Sequence, residues 1–254
     1  MPAHRAIRRR AERREDSRIG WHVYLLFGQS NVVGTLTLDG EMVTSDSRDK
    51  EILLYQSSGS VDAVTYQSEE WGNFKDTYSG FGPEKGLART LLFDGVENVA
   101  VVKFARNGMG LGNYFKPSLE LGFRAAVQTV RTALGKLEEK IGPATIDGLL
   151  WFQGYADTSN ETYANEYSQN LTGFLAQLRA ELGCSIPTVI GRGPVWWVNE
   201  YKDVVRSAQV SVAENELGWV DSDDTTQRGD DTHLTSGGKD LVGYRAAQLF
   251  LNAL

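Results

Sequence analysis

Residues 21–31 read WHVYLLFGQSN, and this stretch decides the fold class. A mostly apolar run over 21–27 ends at Gly28, and Ser30 follows two residues later. An apolar run of this length that stops at a glycine is typical of a buried strand. Strands of this kind belong to parallel sheets covered on both faces, where ligands bind at the carboxyl ends of the strands.

The rest of the chain continues this alternation of strands and helices. Four further apolar runs predict strands at 98–105, 146–152, 186–190 and 217–221. Helical spacing predicts helices over 118–140, 161–182, 202–216 and 235–254. The pattern predicts an α/β fold, a three-layer αβα sandwich with a five-stranded parallel sheet. The segment 34–97 includes the strand-like ILLYQ and is expected to form excursions that shape a substrate cleft.

Composition narrows the classes of partner. The chain has 254 residues and a net charge of −7, which favours neither nucleic acid nor an anionic membrane as partner. No run of about 20 apolar residues is present, so no membrane span is expected. Cys184 is the only cysteine, so no internal disulfide forms. The arginine-rich residues 1–19 lack the apolar segment of a secretory signal, which predicts a basic arm, a single domain over 20–254 and a cytoplasmic protein.

The segments after the predicted strands supply the candidate chemistry. Ser30 follows the first strand, where a tight turn exposes its hydroxyl and a helix N-terminus provides N–H donors. Gly108 follows the second strand, and its backbone N–H is a candidate donor to a developing oxyanion. Gln153 follows the third and offers a side-chain amide for the same purpose. Taken alone, each residue is better explained by local structure: Ser30 as a helix cap, Gly108 as an ordinary turn and Gln153 as a polar loop residue.

A serine nucleophile needs a general base, and the chain has three histidines. His4 lies in the basic arm, and His22 lies at the start of the first strand, about 20–25 Å from Ser30 at the usual rise per residue. His233 precedes the last helix and lies at the correct end of the sheet. Asp230 stands three residues before it and can accept from its ring, with Asp231 as the competing acid.

These blocks together resemble the SGNH hydrolases, and more narrowly carbohydrate esterase family 6 and the sialate O-acetylesterase-like group. The matching stretches follow the family order and are HVYLLFGQSNVVG, FGPEKGLAR, VAVVKFARNGMG, GLLWFQGYADT and GDDTHLTSGGKDLVGYRAA. The resemblance implies a flavodoxin-like fold and a triad that uses no metal or cofactor. Ser30 would be the nucleophile, His233 the base and Asp230 its partner, with Ser30 N–H, Gly108 N–H and Gln153 as the oxyanion hole.

Two positions depart from the family pattern. The family often has QGE-x-D where this chain has Tyr155 after Gln153-Gly154, and often has threonine where this chain has Met109. These changes leave the implied triad intact and bear on the choice of substrate.

The resemblance implies a serine esterase that removes acetyl groups from an oligo- or polysaccharide, of the acetylxylan or sialate type. Aromatic residues in the loops offer platforms for sugar rings, and Arg106 or Arg192 is a candidate partner for a sialate carboxylate. Substrate contacts are expected from Gln29, Asn31, Asn107, Met109, Tyr155 and Trp196. A general carboxylesterase, lipase or thioesterase on the same triad, and a glycan-binding protein without catalysis, are the alternatives.

Overall fold

The computed structural model describes residues 20–34, 46–56, 70–74 and 81–253, which form an α/β fold. The predicted basic arm, 1–19, lies outside the described residues, and so do 35–45, 57–69 and 75–80 of the segment 34–97. The strands are β1 (Trp21–Gly28), β2 (Leu53–Gln56), β3 (Gly72–Asn73), β4 (Val99–Ala105), β5 (Ala144–Phe152), β6 (Thr188–Gly191) and β7 (Gly218–Val220). The α-helices are α1 (Ser30–Val33), α2 (Glu84–Phe93), α3 (Leu121–Lys140), α4 (Glu161–Leu182), α5 (Lys202–Ala213) and α6 (Ser236–Ala253).

The sheet has seven strands in the order β3-β2-β4-β1-β5-β6-β7, so the prediction of a five-stranded parallel sheet is wrong. The five predicted strands are present as β1, β4, β5, β6 and β7, and all of them pair in parallel. The additional β2 pairs with β4 in parallel, whereas β3 pairs with β2 in antiparallel orientation. The sheet is therefore mixed. β2 is the ILLYQ run, and β3 is a two-residue strand, too short to show any hydrophobic period.

Helices cover both faces of the sheet because successive side chains of each strand point to opposite faces. Leu25 and Phe27 of β1 belong to a core that includes side chains of α3, α4 and α5. Tyr24 and Leu26 belong to a second core that includes side chains of α2 and α6. These four side chains are fully buried, which explains why the run over 21–27 is apolar at nearly every position. Within the described ranges, no helix combines the length and the apolar composition that a membrane span requires.

Gly28 is the point at which β1 turns towards Ser30, and the packing there leaves no room for a side chain. A Cβ at this position would lie 2.2 Å from the carbonyl oxygen of Phe152 and 2.5 Å from Cγ2 of Val32. The backbone of β5 thus passes against the end of β1. Glycine is required here by close approach, since only hydrogen occupies that space.

We expect Gly28→Ala to destabilise the protein by about 1–3 kcal/mol or more, because the clash is with backbone that cannot move aside. Urea unfolding of the variant and the wild type measures the difference. Gly173→Ala is the matched control, since a Cβ at Gly173 of α4 meets no atom within 4 Å. That control should stabilise by about 0.5–1 kcal/mol, as alanine does inside a helix. Equal stability of Gly28→Ala and wild type would contradict the close approach.

Candidate active site

Ser30 begins the single helical turn that follows β1. The backbone N–H groups of Val32 and Val33 donate to the carbonyl oxygen of Gln29 at 2.7 and 2.9 Å, which fixes the turn. Gly34 then ends it with a φ of +83°. The serine is 7% exposed, so its hydroxyl lies at the bottom of a depression at the carboxyl edge of the sheet.

His233 reaches Ser30 from the loop between β7 and α6. Asp230 shapes this loop, because its Oδ1 accepts from the backbone N–H of His233 at 2.8 Å and of Thr232 at 3.1 Å. Its Oδ2 lies 2.8 Å from Nδ1 of the His233 ring, and Nε2 of that ring lies 2.9 Å from Oγ of Ser30. If Nδ1 carries the proton donated to Asp230, Nε2 is the acceptor and the Ser30 hydroxyl donates to it.

The structure brings Asp230, and not its neighbour, to the histidine. Asp231 is exposed and has a φ of +54°, a left-handed conformation that leads the chain around the turn. Burial pushes the pKa of Asp230 upward, but the hydrogen bonds from the backbone and ring of His233 and from Thr232 outweigh burial. The pKa of Asp230 therefore lies below its usual value, and this carboxylate stays ionised at neutral pH.

Asn31 connects α1, which carries Ser30, to the loop that carries His233. Its Oδ1 accepts from the backbone N–H of Leu234 at 2.9 Å, and its Nδ2 donates to the carbonyl oxygen of Thr232 at 3.3 Å. The side chain is 2% exposed. The prediction that Asn31 contacts a substrate therefore needs correction: it holds the His233 loop against α1.

The loop after β4 contributes one wall of the site. Gly108 is exposed with a φ of +68°, and a Cβ there would meet no atom within 4 Å, so conformation rather than space favours glycine. Its N–H has no acceptor among the described residues and is available to a ligand. Met109 instead packs against the core, so its predicted contact with a substrate is not supported.

Gln153 is placed differently from the sequence-based expectation. Its Nε2 lies 2.6 Å from Oδ2 of Asp157, 3.1 Å from Oε1 of Gln29 and 3.3 Å from the carbonyl oxygen of Met109. An amide nitrogen has two hydrogens, so these acceptors use its donor capacity. The side chain is also 2% exposed. The prediction that Gln153 donates to an oxyanion therefore needs correction, because its hydrogens point into the protein.

Asp157 is the buried carboxylate behind this amide. It is fully buried and accepts from the backbone N–H groups of Leu111 at 2.9 Å and Gly112 at 2.8 Å. Burial raises the pKa of Asp157 above its usual value, against the lowering effect of its hydrogen bonds from Gln153, Gly112 and Leu111. Asp157 thus ties the segment after Gly110 to Gln153.

Ser30 and His233 open onto a cleft of about 690 Å³. Most of the residues that line it have polar side chains. The lining residues predicted from the sequence are Gln29, Ser30, Asn107, Gly108, Tyr155, Asp230 and His233. Those that sequence reasoning missed are Asn113, Ala156, Ser159, Arg228 and Thr232.

Trp196 does not line the cleft, in contrast to its prediction. Its Nε1 donates to the carbonyl oxygen of Thr225 at 3.1 Å, and its ring packs against the core. The neighbouring Trp197 is buried and supports Tyr155 from behind, with ring centroids 5.3 Å apart at 74°. Tyr155 is therefore the aromatic ring that this wall presents to a ligand.

Three arginines near the site, at positions 106, 192 and 228, have different contacts. Arg192 pairs with Asp221 at 2.9 Å and Asp223 at 2.6 Å, away from the cleft lining. Arg106 stacks over the ring of Tyr114 at 5.7 Å. Arg228 lines the cleft, and its backbone N–H donates to the carbonyl oxygen of His233 at 2.9 Å. Its position in the loop after β7 is the signal that could have identified it. No group of three or more potential metal-ligating side chains lies within the described ranges.

Comparisons with known proteins agree with this architecture. The family model described as "Carbohydrate esterase, sialic acid-specific acetylesterase" matches residues 20–252. A probable carbohydrate esterase of Arabidopsis thaliana is 29% identical over 111 residues, a match that spans 42% of this chain and 41% of that protein.

Solved structures share the fold. The structure of the same Arabidopsis protein has a TM-score of 0.71 at 19% identity, covering 91% of this chain and 98% of that chain. A carbohydrate acetylesterase of Xanthomonas citri has a TM-score of 0.66 at 18% identity, covering 90% of this chain and 55% of that one. NanS has a TM-score of 0.63 at 14% identity, covering 92% of this chain and 97% of that one.

Proposed function

The chain belongs to the family of carbohydrate esterases described as sialic acid-specific acetylesterases, and on this premise we propose that it hydrolyses O-acetyl esters on a carbohydrate through an acetyl-serine intermediate. The observation that carries the proposal is the continuous row of contacts from Ser30 Oγ to His233 Nε2 and from His233 Nδ1 to Asp230, at the floor of an open cleft. Ser30 is the nucleophile, His233 the general base and Asp230 the group that orients His233.

In the first half-reaction, Ser30 Oγ attacks the ester carbonyl carbon while His233 Nε2 takes the serine proton. Asp230 keeps the proton on Nδ1 and stabilises the imidazolium. The carbonyl oxygen becomes an oxyanion, which the N–H groups of Ser30 and Gly108 stabilise. The C–O bond to the sugar then breaks, the sugar oxygen takes the proton from His233, and acetyl-Ser30 remains.

In the second half-reaction, water replaces the sugar hydroxyl. His233 removes a proton from water as the water oxygen attacks the acetyl carbon, and a second oxyanion forms at the same donors. The bond to Ser30 Oγ breaks, His233 returns the proton to the serine, and acetate leaves.

The lining of the cleft supports a sugar over a long acyl chain. Among the described residues that line it, the side chains of Gln29, Asn107, Asn113 and Ser159 can hydrogen-bond to hydroxyl groups. No leucine, isoleucine, valine or phenylalanine is among those lining residues, whereas a lipase-like groove for an acyl chain is apolar.

Acetate release from a panel of esters tests the proposal. The panel contains O-acetylated sialic acid, acetylated xylo-oligosaccharide, p-nitrophenyl acetate and p-nitrophenyl octanoate. We expect turnover of at least one acetylated sugar, and octanoate should be a poor substrate. Preference for octanoate would favour the general esterase or lipase alternative. Sugar binding without any hydrolysis would favour the glycan-binding alternative.

Arg228 is the residue that we expect to favour a sugar with a carboxylate over a neutral sugar. It is the only lysine or arginine among the described residues that line the cleft. A guanidinium binds a carboxylate through charge-assisted hydrogen bonds. We therefore expect Arg228→Gln to raise KM for O-acetylated sialic acid about 10- to 100-fold, because such bonds contribute about 1.5–3 kcal/mol. KM and kcat for each sugar ester provide the measurement.

Two comparisons control this prediction. KM for the neutral acetylated xylo-oligosaccharide should stay within about twofold of wild type, and Arg228→Lys should retain part of the affinity for the sialate because it keeps the charge. If Arg228→Gln weakens both substrates equally, Arg228 supports the loop and does not recognise a carboxylate.

A further inference from the structure

The side-chain amide of Gln29 has a defined orientation. Its Oε1 accepts from Nε2 of Gln153 at 3.1 Å and from the backbone N–H groups of Gly154 and Ala156, both at 3.4 Å. Oxygen accepts from N–H groups and an amide nitrogen does not, so these three donors determine which end of the amide faces β5. The nitrogen, Nε2, must point the other way.

The other end of this amide belongs to the cleft. Gln29 is 3% exposed, yet it lines the cleft beside Ser30, which directly follows it in the chain. Its Nε2 has no hydrogen-bond partner among the described residues. The residue is almost wholly buried while this donor, at the cleft, stays unpaired within the described part of the chain, so the donor is suited to a ligand atom at Ser30.

Gln153 and Asp157 support Gln29 from behind. Asp157 takes one hydrogen of Gln153 Nε2 at 2.6 Å, and this fixes the amide of Gln153 so that its nitrogen also faces Oε1 of Gln29. The hydroxyl of Tyr167 donates to the backbone carbonyl oxygen of Gln153 at 2.7 Å and lies 3.1 Å from its Oε1, so it holds Gln153 in place from the core. A series of hydrogen-bonded side chains therefore connects the fully buried carboxylate of Asp157, through Gln153, to Gln29 at the floor of the cleft.

We infer that Nε2 of Gln29 is the third donor to the oxyanion formed at Ser30, and that Gln153 and Asp157 are positioning residues that aim it. The inference rests on the proposed function and names a residue for the donor role that Gln153 cannot fill. Gln29 Nε2 would act with the N–H groups of Ser30 and Gly108. A neutral amide gives up no proton, so the proton transfers of His233 are unchanged.

A double-mutant cycle on kcat tests this assignment, with p-nitrophenyl acetate as substrate. Gln29→Leu should lower kcat about 10²- to 10³-fold, the usual effect of a lost oxyanion donor, and change KM little. Gln153→Leu should lower kcat less. Gln29→Leu combined with Gln153→Leu should be no slower than Gln29→Leu alone, because Gln153 acts through Gln29.

Further variants distinguish the outcomes. Gln29→Glu keeps the size and the acceptor oxygen of the side chain but removes the donor, and it replaces Gln29→Leu in the test if that variant does not fold. Its kcat should fall at least as far as that of Gln29→Leu. Gln128→Leu, on the exposed face of α3, should retain wild-type kcat. The inference is overturned if a folded Gln29 variant keeps full kcat, or if the losses from Gln29→Leu and Gln153→Leu multiply in the double variant. In either case, wild-type activity that depends on Ser30 still upholds the proposed function. A wild type that hydrolyses no ester overturns both.

Discussion

Replacing Ser30 by alanine is expected to lower kcat for the best sugar ester by about 10⁶-fold, the scale of loss when a serine hydrolase lacks its nucleophile. The substitution removes one oxygen atom, and that atom lies 2.9 Å from His233 Nε2. Without it no acetyl-enzyme forms, and only direct attack by water remains. Acetate release under saturating substrate, with active enzyme concentration held equal, measures the loss.

Ser159→Ala is the matched control for this prediction. Ser159 also lines the cleft, but its hydroxyl donates to the carbonyl oxygen of Ala156 at 3.1 Å, away from His233. We expect its kcat to stay within about tenfold of wild type, the range for loss of one neutral hydrogen bond. His233→Ala should be as slow as Ser30→Ala, and the two together no slower, because both act in one step. Substantial turnover by Ser30→Ala would disprove the acetyl-serine mechanism.

Burial on both faces explains why the strands near the site could be predicted from the sequence. Residues 21–27 are apolar at nearly every position because α-helices cover both sides of β1, and the same holds for β4 and for residues 149–152 of β5. Parallel strands then end at one edge of the sheet. This single rule places Ser30, Gly108 and His233 along the same cleft, although His233 is more than two hundred residues from Ser30.

The directions of the polar side chains could not be predicted in the same way. Gln153 and Asn31 follow the correct strands, but hydrogen bonds turn Gln153 towards Asp157 and the distant Gln29, and Asn31 towards the distant Thr232. No periodicity encodes such pairs. The sequence predicts Trp196 in the cleft from its ring and its place after a strand, yet its ring packs against the core. The short β3 was missed because two residues carry no pattern.

Replacing Asp230 by asparagine is expected to lower kcat about 10⁴-fold with little change in KM, because the histidine would take the wrong tautomer. The Oδ1 of asparagine can still accept from the backbone N–H groups of Thr232 and His233, so the turn is retained. Its Nδ2 would replace the Oδ2 that lies 2.8 Å from the ring. A donor at this place favours an unprotonated Nδ1, so Nε2 carries the proton and cannot accept one from Ser30.

Asp231→Asn separates this effect from a general loss of charge in the loop. Asp231 is the neighbouring acid, is exposed, and has a φ of +54°, a conformation that asparagine adopts as readily as aspartate. Its kcat should match wild type. The pKa of Asp230 lies below the usual value, so the wild-type carboxylate is ionised at pH 6 and at pH 8, and Asp230→Asn should be impaired at both. If instead Asp231→Asn is the slow variant, Asp231 and not Asp230 orients the base during turnover, and the loop must rearrange when substrate binds.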